Sequence, residues 1–444
     1  MASVRAALAA VVLALIVAAA ASAQHAADGL KPGMMLDRTN WQLAQDLLPP
    51  EILNHYKDGG YANRVVDWPA GQFNWPPDFK SATDKNAGRF AITEAGSIVD
   101  TATGEQPPAI LGFPFPVIDP TDPQAAVKVV WNYFYLTWYY GNLHAQSQVN
   151  WLGPRGVERR TDQDVNFLYY DGVPERARLP NPQNFASQQL IVAEGPADLA
   201  GTAALTWRYR DPTKRDSLWT FIPALRRVRA VSPSNRSDGF LGSDLSQDDG
   251  PFFDGKVEDF TWKLKGEIEH LRIVDPLSLE GKSNSVWQPS GGWRANWDPD
   301  LKIIGYQDPH WTGLAWAPLS PALAKRRFWI VEAIPKDKYY LYGRLELYID
   351  KETFQGAWNR KFSQKGELLN TLQVIAYQLV PYQRPSGETD YIQGSNMSYN
   401  VAENFKLNRA TVAGLKSSSN SALDVYAPYD PSFFDMNALS RFGK

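Results

Sequence analysis

The sequence predicts an α+β protein, mainly antiparallel β, in which a large curved sheet wraps around one buried helix. Three observations carry this reading. Apolar and polar residues alternate with period two through many short runs, as in a sheet with one covered face. A single strong helical segment, Gln124 to about Tyr140, is apolar on nearly every side, which marks a helix enclosed by other structure. Aromatic residues are frequent, 16 Trp, 20 Tyr and 20 Phe in 444 residues, and such residues favour strands.

Arg5, the apolar run Ala6 to Ala21 and the small-residue site Ala21-Ser22-Ala23 have the order of a secretion signal, so residues 1–23 are expected to be removed and the mature chain to begin near Gln24. The chain has no Cys, hence no lipobox cysteine for acylation, no disulfide and no thiolate metal site. Residues 24–108 are expected to form a lid region of loops and two short helices. Thr39 or Asn40 can cap the first, Trp41–Leu48; Pro50 suits the first turn of the second, which runs to about Lys57 and ends at Asp58-Gly59-Gly60. Pro69, Pro76, Pro77, Pro107 and Pro108 make the remainder loop-rich.

The sheet domain is expected over 109–380, with its central helix at 123–140. Asp122 is a good N-cap, Pro123 sits at the first helical position and Gly141-Asn142 ends the helix. Lys128 and Asn132 form its one polar stripe and argue against a membrane span. Strand patterns follow at Val165-Phe167-Tyr169, Leu205-Trp207-Tyr209, Phe260-Trp262-Leu264, Leu345-Leu347-Ile349 and Leu372-Val374-Ala376. Asp275–Ala324, rich in Trp, Pro, Gly and Ser, reads as a long excursion. Residues 381–444 read as a loop-rich extension packed on the same domain, with a Ser-rich patch at Ser417-Ser418-Ser419 and Phe433 and Phe434 as anchors.

Few motifs carry chemistry. A net charge of −3 argues against nucleic acid. Acidic residues gather at Asp244, Asp248, Asp249, Asp254, Glu258 and Asp259. Without ligand spacing they read as a solvated loop, against the alternatives of a carboxylate pair for glycoside hydrolysis or a hard-cation site. The five His are scattered, and Leu241-Gly242-Ser243-Asp244-Leu245 does not match a nucleophile elbow. No cofactor and no metal are therefore expected. Arg226, Arg227 and Arg229 are either an exposed strand face or a grip for an anionic head group.

The most distinctive stretch begins at Ser217. Trp219 and Phe221 fall on one side of a short strand, and Leu218 and Ile222 on the other. Pro223 interrupts, and a second strand alternates Arg227, Arg229 and Val231 against Arg226, Val228 and Ala230 before a Ser/Asn/Gly/Asp loop. The string from Leu218 through Ile222-Pro223-Ala224-Leu225 to Arg229, with Gly242-Ser243-Asp244 after it, resembles the signature of bacterial outer-membrane lipoprotein-sorting proteins. It resembles domain-of-unknown-function family 1329 more closely still. Phe260–Gly266, Arg326–Ala333 and Tyr342–Asp350 continue the likeness in the same order, over roughly Asn40 to Val380. Ala230 departs from it, since related sequences often carry a second Arg there.

The resemblance implies a LolA/LolB-like half-barrel with a helical lid, a periplasmic location, and carriage of a lipid or lipidated protein by binding and release. On this reading Trp131, Trp138, Trp207, Trp219, Phe221, Phe260 and Trp262 line an apolar cleft beside the helix, and the helices around Trp41–Lys57 close it. Arg226, Arg227, Arg229, Gly242, Ser243 and Asp244 then have a structural or binding role, Asp244 bonding its own turn or one of these arginines. Two other classes remain: an extracytoplasmic polysaccharide-active enzyme or sugar binder using exposed Trp and the acidic loop, and an accessory protein serving an envelope transporter or outer-membrane protein.

Overall fold

A computed structural model describes residues 29–67, 75–139, 141–274, 285–289, 292–296, 302–376, 380–383, 387, 389–392, 397–416 and 422–442. The expected signal segment and the Ser417–Ser419 patch lie outside these residues.

One curved, open sheet of 18 strands organises the described residues. Six strands ascend from the middle of the chain: β1 (Leu143–Gly153), β2 (Gly156–Tyr169), β3 (Phe185–Gly195), β4 (Ala203–Tyr209), β5 (Ser217–Ile222) and β6 (Arg227–Val231). Seven follow: β7 (Phe260–Val274), β8 (Ala322–Pro335), β9 (Arg344–Asp350), β10 (Gly356–Phe362), β11 (Leu368–Ala376), β12 (Met397–Asn404) and β13 (Arg409–Leu415). All neighbours along this run are antiparallel, in the spatial order β6-β5-β4-β3-β2-β1-β13-β12-β11-β10-β9-β8-β7. The chain thus enters at the middle of the sheet, meanders to one edge, crosses to the other and meanders back. Curvature is tightest in the second half. There Val274 at the end of β7 meets Ala376 of β11, and Trp358 Nε1 on β10 reaches Leu271 O on β7 at 3.1 Å.

Several expectations change here. The stretch after Pro381 is not mainly loop: β12 and β13 are central strands, and Ala422–Val425 extends the row by pairing with Leu143–Ala145. Their polar alternation, Asn400, Glu403 and Thr411 among Val401, Ala402 and Val412, conceals full burial. Part of the Asp275–Ala324 excursion is also strand, since Trp293–Asn296 pairs with Ala422–Val425.

The helices follow the expected stops more closely. Helix α1 is Pro50–Lys57, α2 is Pro77–Asn86, α3 is Ala125–Tyr139 and α4 is Met436–Phe442. Only one 3₁₀ turn, Trp41–Ala44, forms where a first helix to Leu48 was expected, while α2 arises in a stretch read as loop. In α3 every residue except Lys128 is buried. Asp122 accepts from Gln124 N at 2.8 Å, and Gly141 closes the helix at φ 64°. Asn132, read as half of a polar stripe, is buried instead: its amide clasps Phe115 N and O at 3.0 and 2.7 Å.

Successive residues of a strand point to opposite faces, which sorts the coverings. Asn359 and Lys361 of β10 contact the crossing connection 232–259, whereas Arg360 between them bonds Glu51 of α1 at 2.7 and 3.0 Å. Thr371 joins Glu51, and Gln373 joins Tyr61, on that same outer face. On the other half of the sheet, α4 and Phe434 cover the outer residues Leu168, Leu190, Leu205 and Phe221. The inner face is left to α3 and the crossing connection; Tyr133 of α3 donates to Phe253 O of that connection at 2.9 Å.

Candidate functional site

On the inner face, cross-strand pairing aligns Leu423, Ala145, Val165, Ile191, Ala204 and Thr220 in one row. A second row runs through Leu143, Phe167, Gln189, Thr206 and Leu218. Alanine at two places in the first row leaves depth that larger side chains would fill. Above these rows lies a cavity of about 190 Å³, roofed by Phe240, Leu245, Gln247 and Pro251 of the crossing connection. Ala145, Val165, Phe167, Ile191 and Ala413 are only half-buried, so apolar surface faces open space. An apolar cavity of roughly 150 Å³ is known to remain dry and accept a small aromatic.

The roof is held by charge. Asp244 accepts from Arg409 Nε at 3.0 Å, Asn404 Nδ2 at 2.9 Å and Thr411 Oγ1 at 3.3 Å. Asp249 pairs with Lys361 and accepts from Ser246 N at 2.7 Å. Arg236 bonds Asp248 at 2.5 Å and Asp254 at 3.0 Å, and Arg208 bonds Asp216 at 2.8 Å and Asp254 at 2.9 Å. Burial raises the Asp248 carboxyl above its ordinary range, with Arg236 opposing, and Tyr340 Oη donates to it at 2.9 Å. The acidic stretch is therefore no solvated loop: Asp244, Asp248, Asp249 and Asp254 are all buried. They are buried because the connection between the two edge strands must cross the sheet face, where each carboxylate needs a cation.

The turn 239–246 explains Gly242-Ser243-Asp244. Leu241 and Gly242 adopt φ 50° and 77°, and a Cβ on Gly239 would lie 2.0 Å from Ser243 O. Ser243 Oγ donates to Leu245 O at 2.8 Å. Asp244, expected to bond its own turn or the Arg226–Arg229 run, instead reaches Arg409, a partner 165 residues onward that no local pattern signals.

The aromatic expectation fares differently. None of the seven named aromatics lines this cavity. Trp207, Trp219 and Phe221 belong to the outer cluster beneath α4; Trp207 Nε1 donates to Phe434 O at 2.8 Å and its ring meets Trp219 at 4.7 Å. Their alternation is legible in the sequence, but the C-terminal segment covers this face, which makes it the outer one. Phe260 and Trp262 pack on Phe253 at 5.3 and 5.5 Å. Trp131 and Trp138 border a space of only about 30 Å³ beside Arg208 and Glu258. The lining residues passed over were small and aliphatic, Ala145, Ile191 and Ala204, whose alignment exists only after the strands pair. Nor does any residue of the Trp41–Lys57 segment line the cavity; it lies on the outer face, held by Glu51. Arg226, Arg227 and Arg229 are exposed, on or beside edge strand β6.

Residues 35–440 match the model of a protein family of unknown function, DUF1329. The chain belongs to DUF1329. An uncharacterised protein of Pseudomonas aeruginosa, PA3922, is 24% identical over 327 residues, covering 70% of this chain; the chain spans only 61% of that relative. Among solved structures, a domain of Vibrio parahaemolyticus named for outer membrane lipoprotein sorting superposes with a TM-score of 0.45 at 15% identity, covering 72% of this chain and 100% of that one. A DUF1329 family protein from Desulfovibrio piger gives 0.43 at 17% identity, with coverage of 72% and 100%. The LolA superfamily protein NE2245 from Nitrosomonas europaea gives 0.38 at 11%, with coverage of 69% and 97%. Superpositions this loose assign nothing in the site of this DUF1329 member. No described helix is long and apolar enough to cross a membrane.

Proposed function

We propose that this protein is a periplasmic carrier that binds and releases a hydrophobic ligand, a lipid or the lipid part of a lipoprotein, without a covalent step. The observation that carries the proposal is the roofed cavity whose floor is half-exposed aliphatic surface. Each methylene buried there contributes about 0.8 kcal/mol, so part of an acyl chain suffices for useful binding after the costs of association. Handover to an envelope transporter or outer-membrane protein belongs to the same proposal. The polysaccharide-enzyme alternative loses support at Asp254, Asp248, Asp249 and Asp244, which are matched with Arg208, Arg236, Lys361 and Arg409, while Glu258 accepts from Ser97 Oγ at 2.9 Å. The test fills the floor: Ala145→Phe should abolish the fluorescence gain of N-phenylnaphthylamine while the melting temperature stays within a few degrees. An undiminished signal in that variant would remove the cavity as the binding site.

A further inference from the structure

The central cavity does not end at β4. A second space of about 270 Å³ continues to the sheet edge, bordered by Leu205 and Trp219 as well as by inner-face residues, and the two share Ala204, Thr206, Phe240 and Gln247 as lining. Phe240, half-buried, stands at this junction, and Gln247 Nε2 spans it by donating to Thr206 Oγ1 at 2.6 Å.

What lies at the far end follows from register. The first inner row passes from Ala204 to Thr220, which lines the second space, and then to Arg229. The second row passes from Thr206 to Leu218 and then to Val231, both of which line it. Alternation along β6 puts Arg227, Arg229 and Val231 on that one face, with the arginines just beyond the lining residues. Strands lie about 4.8 Å apart, so Arg229 stands roughly 10 Å from Ala204, within reach of the head of a chain seated past Phe240. Both arginines are exposed, and none of the ion pairs among the described residues involves either. Asp238 is the one carboxylate lining the second space, whose other polar lining residues include Thr202, Thr206, Thr220, Asn235 and Gln247.

We infer that the ligand is an anionic single-chain amphiphile, its tail in the central cavity and its carboxylate or phosphate head held at the sheet edge by Arg227 and Arg229. This rests on the carrier reading and adds the head-group class to it. Guanidinium groups bond such oxyanions in pairs, and the exposed position makes the contact salt-sensitive.

The experiment measures displacement of N-phenylnaphthylamine from the mature protein by dodecanoate, dodecyl phosphate and dodecanol. Both anions should displace the dye about tenfold more strongly than the alcohol, as expected for charge-assisted hydrogen bonds, and the gap should narrow in high salt. Comparing the two anions tells carboxylate from phosphate. Arg227→Gln with Arg229→Gln, both at exposed positions and checked by unchanged melting, should bring the anions down to the level of dodecanol. Equal displacement by all three, or a preference that survives the double change, overturns the head-group inference and leaves carriage standing. Failure of the dye and of every competitor to bind overturns carriage itself.

Discussion

Lys361 and Asp249 are both almost completely buried, at 1% and 2% side-chain exposure, and each is the other's countercharge. Taking such ions out of water costs several kcal/mol apiece, and only their mutual attraction and added hydrogen bonds offset it. Lys361→Met should therefore destabilise by roughly 3–5 kcal/mol, since it strands a buried carboxylate, whereas Lys361→Met with Asp249→Leu should recover much of that loss. Chemical denaturation of the two variants checks this; equal losses would mean the pair does not act as one unit. His144 makes a second, pH-dependent pair. Its hydrogen bond to Asp164 at 2.8 Å, helped by Asp424, raises its pKa from 6.5 to about 9. The folded state then holds the proton more tightly than the unfolded chain. This contribution is complete below pH 6.5 and disappears as pH rises through about 9. Wild type should lose stability over that window, and His144→Gln should lose less.

Helix α3 and the crossing connection form the packing inside the sheet. Trp131 contributes a buried ring and an Nε1 that donates to Gly96 O at 2.8 Å, tying α3 to the loop before it. Trp131→Ala should cost roughly 3–5 kcal/mol, read as a large fall in melting temperature; a small fall would place that face in solvent. Helix α4 is short, but Ala438 and Leu439 cover Leu168, Leu190 and Leu205 on the outer face. Removing residues from Met436 onward should expose that surface and raise binding of an apolar dye without occupying the inner cavity, which Ala145→Phe then distinguishes. The crossing connection is a roof because of its position in the chain: it joins the two edge strands and must pass over everything between them.

In the whole molecule, the meander from β1 out to β6 and back from β7 to β13 brings residue 145 beside residue 423, and residue 244 beside residue 409. What the sequence alone determined was local. Periodicity located β2, β4, β5, β6, β7, β9 and β11, the Asp122 and Gly141 signals bounded α3 closely, and Gly242 marked a turn that requires positive φ. Each of these depends on neighbours within a few residues. Which face of a strand is interior, and which cation meets which carboxylate, depend on strand order and on what later covers each face. Trp207 and Trp219 alternate as an inward row would, yet α4 and Phe434 make theirs the outer face. Asp244 sits in a polar loop sequence, yet crossing the sheet buries it against Arg409. The cavity has the same origin, because Ala145, Val165, Ile191 and Ala204 become one surface only when four strands pair in register.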